Sequence, residues 1–214
     1  MVGSHHARRQ LMLHTLVETF ANMEWLELSG LISGLLCVWL LVRGNVWTFP
    51  VGLVYALISV AVFFKTRLYA DVVLNGYYVL MNAYGWYYWL YGGREALTAS
   101  VPVRRASSRV MLLIVCAIGV GTLLVGTFFS RSTDADLPYW DSLIVVASFA
   151  AMWLTARKYI DNWTLWFAVD IVATGVYLAK GIEFYAILYA IYLILAIVGW
   201  RTWARELTPA SSSA

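Results

Sequence analysis

Seven long apolar stretches, separated by short segments richer in charged residues, dominate the hydropathy pattern of the chain. They cover residues 25–42, 46–64, 68–91, 110–129, 139–156, 163–179 and 182–200. Each is close to the roughly 20 mostly apolar residues that a helix needs to cross a bilayer. The pattern therefore predicts an all-α membrane protein with seven transmembrane helices.

The segments outside these stretches leave no room for a separate soluble domain. Residues 1–24 begin with basic residues, but His14 and Glu18 interrupt what would be the apolar core of a signal peptide. We therefore expect an interfacial helix there. Residues 93–138 are expected to form a basic loop, one apolar linker helix and an acidic loop, and the Ser- and Ala-rich tail 206–214 is expected to be disordered.

The chain also contains an internal repeat with a constant offset of 114 residues. The identical pairs are Trp39 and Trp153, Leu40 and Leu154, Arg43 and Arg157, Val62 and Val176, Leu74 and Leu188, Tyr78 and Tyr192, Gly85 and Gly199, Trp86 and Trp200, and Trp89 and Trp203. Four helices separate the two starting points, so the copies 25–92 and 139–205 would run parallel, as in transporters with parallel repeats. The sequence predicts a 3+1+3 arrangement.

Composition and charge agree with a bilayer as the solvent. Hydrophobic residues make up 62% of the chain and charged residues 13%, with a mean hydropathy of +0.72, whereas soluble domains normally carry about 25% charged residues. The net charge of +3 requires no nucleic-acid partner, because cytoplasmic loops of membrane proteins are rich in Lys and Arg.

The distribution of basic residues predicts an orientation. With the N-terminus outside, nine of the 15 Lys and Arg residues lie in cytoplasmic segments and six lie on the opposite side. The positive-inside rule then favours a multi-pass protein of the bacterial inner (plasma) membrane, with the N-terminus outside and the C-terminus in the cytoplasm.

Two apolar stretches carry polar and aromatic residues at helical spacing. On the third, Asn75, Tyr78, Asn82 and Trp86 share one face, where the amides either contact a solute or link neighbouring helices, and the tryptophan either lines a site or belongs to an interfacial belt. The corresponding residues of the sixth stretch are Trp163, Trp166, Asp170, Thr174 and Tyr177.

Asp170 is the most informative of these residues. A carboxylate near the bilayer centre costs about 2.5–3.5 kcal/mol or more, so it usually faces the bundle interior and has a partner. Because no Lys or Arg lies deep in any stretch, a cationic ligand is one such partner, and a hydrogen bond to Ser, Tyr or Asn on another helix is the alternative. Trp163 and Trp166 would supply ring faces that attract a flat cation.

Motifs for other chemistry do not occur in the sequence. It has no GxxxxGK[ST] loop, no HExxH and no GxSxG. The two cysteines, Cys37 and Cys116, fall in apolar stretches, and all three histidines lie in the N-terminal segment. We therefore predict no metal, no cofactor and no enzymatic activity.

Several short motifs taken together give a resemblance that covers about 25–92 and 138–205. They are Leu68-Tyr69-Ala70, Asn82-Ala83-Tyr84-Gly85-Trp86-Tyr87-Tyr88-Trp89, Trp140-Asp141-Ser142, and Arg157-Lys158-Tyr159-Ile160-Asp161-Asn162-Trp163 followed by Leu165-Trp166. On these motifs the chain resembles the PnuC family of nicotinamide riboside and vitamin transporters. The resemblance implies a SWEET-like bundle, a homotrimer, and facilitated diffusion followed by trapping by a cytosolic kinase.

The expected pocket differs from the family's nicotinamide riboside pattern at three positions, where Asn75 replaces a glutamine, and Tyr55 and Asp170 replace asparagines. The prediction is therefore a uniporter for nicotinamide riboside, with thiamine or another cationic aromatic vitamin as the alternative and a non-transport membrane protein as the second alternative. The predicted substrate-binding residues are Tyr55, Asn75, Tyr78, Asn82, Trp86, Trp163, Trp166, Asp170, Tyr177 and Tyr192.

Overall fold

The computed structural model describes residues 25–65, 69–92, 101–133 and 136–207, and within them it contains seven α-helices. They are α1 (Trp25–Val42), α2 (Thr48–Lys65), α3 (Tyr69–Tyr91), α4 (Ser108–Ser132), α5 (Pro138–Ala156), α6 (Asp161–Ala179) and α7 (Glu183–Glu206). Each predicted stretch corresponds to one helix, so the all-α prediction is confirmed. The expected interfacial helix in 1–24 and most of the 206–214 tail lie outside the described residues.

Four of the helices, α2, α4, α5 and α7, are long and apolar enough to cross a membrane. α1 contributes the apolar stretch Leu31–Val42. α3 and α6 carry the buried polar residues Asn75, Asn82 and Asp170, which lower their mean hydropathy. Leucines along α4 are exposed on the surface of the bundle. These features are those of a multi-pass membrane protein.

α4 and α7 extend furthest beyond the predicted boundaries. α4 begins at Ser108 because the Ser107 side chain accepts a hydrogen bond from the Val110 amide (3.4 Å) and caps the helix. α7 continues past residue 200 to Glu206. The hydropathy pattern stops at Arg201, but Trp203 has 0% of its surface exposed, so tertiary packing stabilises the last turns.

α1 and α5 end in the same kind of turn. Gly44 follows α1 with φ 61°, and Lys158 follows α5 with φ 58°. The amide-to-carbonyl hydrogen bonds are Gly44 to Leu41 (2.9 Å), Asn45 to Leu40 (2.9 Å), Lys158 to Thr155 (2.9 Å) and Tyr159 to Leu154 (3.0 Å). This is the Schellman pattern of helix termination. Every residue of the first turn lies 114 residues before its counterpart in the second.

Residues 101–107, which precede α4, pack against the turn after α5. The Arg104 amide donates to the Lys158 carbonyl (3.3 Å), and the Ile160 amide donates to the Arg104 carbonyl (2.9 Å). The Asp161 carboxylate accepts the Ala106 amide (2.7 Å). The helices α1, α3, α5 and α7 all terminate at the end of the bundle where this segment lies. We call this end the basic face.

Candidate functional site

Two tryptophans join the first three helices to the last three. Trp89 of α3 donates its indole N–H to the carbonyl of Thr155 at the end of α5 (3.3 Å). Trp203 of α7 donates to the carbonyl of Leu41 at the end of α1 (3.1 Å). Donors and acceptors are each 114 residues apart, so the two bonds are counterparts of each other.

These indoles belong to a group of packed rings near the basic face, which we call the tryptophan cluster. Its ring pairs are Phe49 and Trp89 (centroids 4.9 Å, 84°), Trp163 and Trp203 (5.5 Å, 87°), and Trp89 and Trp203 (5.8 Å, 54°). A Cβ at Gly85 would lie 2.3 Å from the Phe49 ring, and one at Gly199 would lie 2.4 Å from the Trp163 ring. Only glycine therefore permits this packing.

Asp170 lies inside the bundle with 4% of its surface exposed. Its backbone carbonyl accepts the Thr174 hydroxyl (2.7 Å), and its carboxylate interacts electrostatically with Tyr189 and Tyr192 of α7. Within the described residues no Lys or Arg forms an ion pair with it.

Five tyrosines from four helices form a connected group that reaches Asp170 through Tyr189 and Tyr192, and we call them the tyrosine cluster: Tyr55, Tyr78, Tyr177, Tyr189 and Tyr192. Tyr177 stacks on Tyr189 (5.3 Å, 14°), and Tyr189 meets Tyr192 edge to face (5.9 Å, 81°). Tyr55 lies near Tyr78 and Tyr192. Tyr189 and Tyr192 bring the cluster close to the Asp170 carboxylate.

The two asparagines of α3 are both buried. Asn82 donates its side-chain amide to the carbonyl of Tyr78 (2.8 Å), and its Oδ1 would lie 2.5 Å from a Cβ at Gly52. α2 and α3 therefore approach closely at this point, and the Asn82 amide is held beside the α2 backbone.

The structure brings some of the predicted site residues together and separates others. Tyr55, Tyr78, Asp170, Tyr177 and Tyr192 come together, with Asn75 and Asn82 buried on the α3 face that includes Tyr78.

The three predicted tryptophans lie apart from that group. Trp163 is 2% exposed within the tryptophan cluster, and Trp86 is 37% exposed on the surface of the bundle. Trp166 donates its indole N–H to the Thr155 hydroxyl (3.1 Å), which places it between the tryptophan and tyrosine clusters.

Tyr189 was not among the predicted substrate-binding residues, although it belongs to a tyrosine stripe on the last apolar stretch. It lies 114 residues after Asn75, and it shares a helix face with Tyr185 and Tyr192 at spacings of four and three. The repeat offset was therefore the signal that would have identified it, because the counterpart of a predicted site residue occupies an equivalent position in the second copy.

Lys158 is a buried cation on the basic face, with 4% of its surface exposed. Its ammonium group lies 4.6 Å from the centroid of the Trp89 ring. Burial lowers the pKa of Lys158, and interaction with Glu206 opposes that shift. This charge therefore lies against the tryptophan cluster. No group of His, Cys, Asp and Glu in the described chain is placed to hold a metal ion.

A bundle of apolar helices with a buried carboxylate and converging polar side chains is typical of a membrane transporter for a small solute. The comparisons identify the class and then the family. A family model described as "Nicotinamide mononucleotide transporter" matches residues 24–205. The chain belongs to this family, the PnuC family, and it is a transporter rather than an enzyme.

Individual relatives agree with this assignment. The nicotinamide riboside transporter PnuC of Escherichia coli (strain K12) is 28% identical over 86% of this chain and 88% of its own length. The riboflavin/roseoflavin transporter RibM of Streptomyces davaonensis is 30% identical over 85% of each chain. The crystal structure of the vitamin B3 transporter PnuC aligns with a TM-score of 0.68 and 25% identity, over 92% of this chain and 87% of that one.

Proposed function

We propose that this protein takes up nicotinamide riboside across the bacterial inner membrane by facilitated diffusion, with trapping in the cytosol. The observation that carries the proposal is Asp170, a buried carboxylate near Tyr189 and Tyr192 of the tyrosine cluster. A nicotinamide ring linked to ribose is flat and cationic, so the carboxylate would balance its charge while the ring faces attract it. The hydroxyl groups of ribose would bind the tyrosine hydroxyls and the asparagine amides.

Riboflavin is the second candidate, because the RibM relative is 30% identical to this chain. Its ring system is neutral, so it would leave the Asp170 carboxylate without a counter-charge, at a cost in binding. Thiamine carries a cationic aromatic ring and would satisfy the same carboxylate. Nicotinamide riboside contains a ribose and thiamine does not. The tyrosine cluster supplies hydrogen-bonding groups for that sugar.

We also propose the 3+1+3 arrangement, with parallel repeats at 25–92 and 139–205 joined by 93–138. Three observations support it: the matching Schellman turns, the two counterpart indole hydrogen bonds, and helix packing in which α3 contacts α5 as α7 contacts α1. Solute would bind between the repeats. The excess of basic residues supports a cytoplasmic basic face and an outside N-terminus.

A homotrimer is the proposed assembly. Much of the apolar surface of α4 is exposed in the single chain, which leaves room for contacts with lipid or neighbouring protomers. Light scattering of the detergent-solubilised protein, corrected for bound detergent, tests this by molecular mass. A mass of one chain, 24.1 kDa, would contradict the trimer.

The substrate is tested by titrating the purified protein with nicotinamide riboside, thiamine and riboflavin in parallel, following intrinsic tryptophan fluorescence. We expect the tightest binding for nicotinamide riboside. Uptake of the same three compounds into liposomes containing the protein, but no kinase, then tests transport. Tight binding and uptake of riboflavin alone would contradict the proposal, and binding of none would favour a non-transport protein.

The mechanism is tested in the same liposomes. Facilitated diffusion predicts equilibration of the solute without accumulation, and no effect of an uncoupler. Accumulation driven by an imposed pH gradient at zero membrane potential would show proton coupling instead, because a membrane potential alone would also accumulate a cation.

A further inference from the structure

Two guanidinium groups on the basic face share a set of tyrosines, and we call these residues the arginine cluster. Arg157 donates to the Tyr84 hydroxyl (3.1 Å) and lies 4.8 Å from the Tyr88 ring centroid. Arg104 donates to the Tyr88 hydroxyl and lies 5.5 Å from the Tyr159 ring centroid. Tyr88 thus contacts both guanidinium groups, which brings two positive charges to one place.

No carboxylate neutralises these charges within the described residues. Asp161, on the same face, accepts the Ala106 amide, and Glu206 interacts with Lys158. The Nε of Arg157 is buried and has no hydrogen-bond partner there. Tyrosine hydroxyls are uncharged, so each arginine hydrogen-bonds neutral groups while keeping its charge. The hydrogen bond with Tyr84 is the main cause of a raised pKa at Arg157.

This combination fits one ligand chemistry well. The planar fork of arginine matches the oxygens of a phosphate, and two such forks compensate its double charge. A tyrosine hydroxyl that accepts a hydrogen bond from arginine still has its own proton to donate. A phosphate near Tyr84 and Tyr88 would therefore receive hydrogen bonds from both kinds of group.

We propose that the arginine cluster is a binding site for a phosphomonoester group. A soluble phosphorylated compound and the headgroup of phosphatidic acid both carry that group, and both can reach the end of a transmembrane bundle. The proposal does not depend on which solute the tyrosine cluster binds.

The repeat supplies an internal contrast. Arg43, the counterpart of Arg157, lies 4.5 Å from the Trp39 ring centroid. The positions equivalent to Tyr84 and Tyr88 in the second copy are Val198 and Thr202. Arg157 lies 6.0 Å from the Trp153 ring centroid, so contact with a tryptophan ring is shared by both halves. Among the described residues, the tyrosine hydroxyls and the second arginine occur around Arg157 and not around Arg43. Arg43 is a matched control for the loss of one positive charge on the same face.

The test uses the full chain in neutral detergent and compares inorganic phosphate with chloride at equal ionic strength. Binding is measured by calorimetry and by the shift in thermal unfolding. We expect Arg157→Gln and Arg104→Gln each to weaken phosphate binding about tenfold, since each removes a charge-assisted hydrogen-bonding group. Arg43→Gln should bind phosphate as the unsubstituted chain does. Arg157→Lys keeps the charge without the fork and should fall between them, which protects the test if Arg157→Gln fails to fold.

Two further arms separate the sources of the phosphate. In the first, nicotinamide mononucleotide is titrated into the Asp170→Asn variant, so that binding at the tyrosine cluster does not contribute. In the second, the chain is reconstituted in vesicles of phosphatidylcholine with or without phosphatidic acid. Arginine-dependent binding in either arm supports the site and names its source. Equal binding by all the variants, or no binding of any of the three probes, would overturn the proposal.

Discussion

Asp170 illustrates what a single residue contributes to this protein. An aspartate buried among tyrosine rings needs either a proton or a cation to offset the cost of burial. Helical periodicity placed Trp163 on the same face of α6, yet the structure buries that ring in the tryptophan cluster. Periodicity identifies the face of a helix, but the neighbours that a side chain packs against depend on the other helices.

Replacement of Asp170 by Asn should weaken binding of nicotinamide riboside about tenfold or more, because it removes the counter-charge of a buried cation. Binding of neutral riboflavin should stay the same or improve. Fluorescence titration of both ligands measures the difference. Glu183→Gln, which makes the same chemical change at an exposed position in the first turn of α7, is the control. Equal losses for both ligands would contradict a charge-balancing role.

Gly52 tests the close contact beside Asn82. An alanine there would place its Cβ 2.5 Å from Asn82 Oδ1, and such overpacking typically costs about 1–3 kcal/mol. We expect Gly52→Ala to lower the unfolding temperature and weaken ligand binding. Gly76→Ala on α3, where a Cβ meets nothing within 4 Å, should do neither. If the two variants behave alike, α2 and α3 do not pack as described.

At the scale of helices and turns, the hydropathy pattern predicted every element but not every boundary. A hydropathy pattern detects only the apolar part of a helix. α7 continues beyond its apolar part to Glu206. Its last turns depend on the bond from Trp203 to the carbonyl of Leu41. A side-chain contact between residues 162 positions apart leaves no trace in local periodicity, so the sequence could not predict it.

The turn after α1 gives a prediction at this scale. Gly44 has φ 61°, a conformation that costs other residues roughly 1–2 kcal/mol. Gly44→Ala should therefore lower the unfolding temperature in detergent. Gly175→Ala, in the interior of α6 with open space around it, should be neutral or stabilising by up to about 1 kcal/mol. An unfolding temperature equal to that of the unsubstituted chain would contradict the cost expected for alanine at a positive φ.

At the scale of the whole molecule, the two indole hydrogen bonds tie the halves together in equivalent ways. Trp89→Phe and Trp203→Phe each remove one bond, so each should destabilise the protein by about 1 kcal/mol. The two rings also contact each other, so the double variant should depart from the sum of the single effects. Trp200→Phe, at an exposed position, should change little. Unequal single effects would contradict the equivalence of the two bonds.

The repeat itself was readable from the sequence, because nine identities share one offset. The contacts between the two copies could not be predicted from the sequence. The partners of Trp89 and Trp203 are backbone carbonyls, which every residue has. Residues 101–107 were predicted only as part of a basic loop. Their pairing with the turn after α5 requires the bundle to be assembled first.

The pairing of residues 101–107 with the turn after α5 should keep that turn closed for longer than the similar turn after α1. The turn after α5 is held by backbone bonds on both sides of Arg104, and within the described residues the turn after α1 has no corresponding segment against it. Amide hydrogens exchange with solvent only when such bonds open. The amide of Ile160 should therefore exchange more slowly than that of Val46, so one half of a duplicated protein would keep its shape while the other opens first.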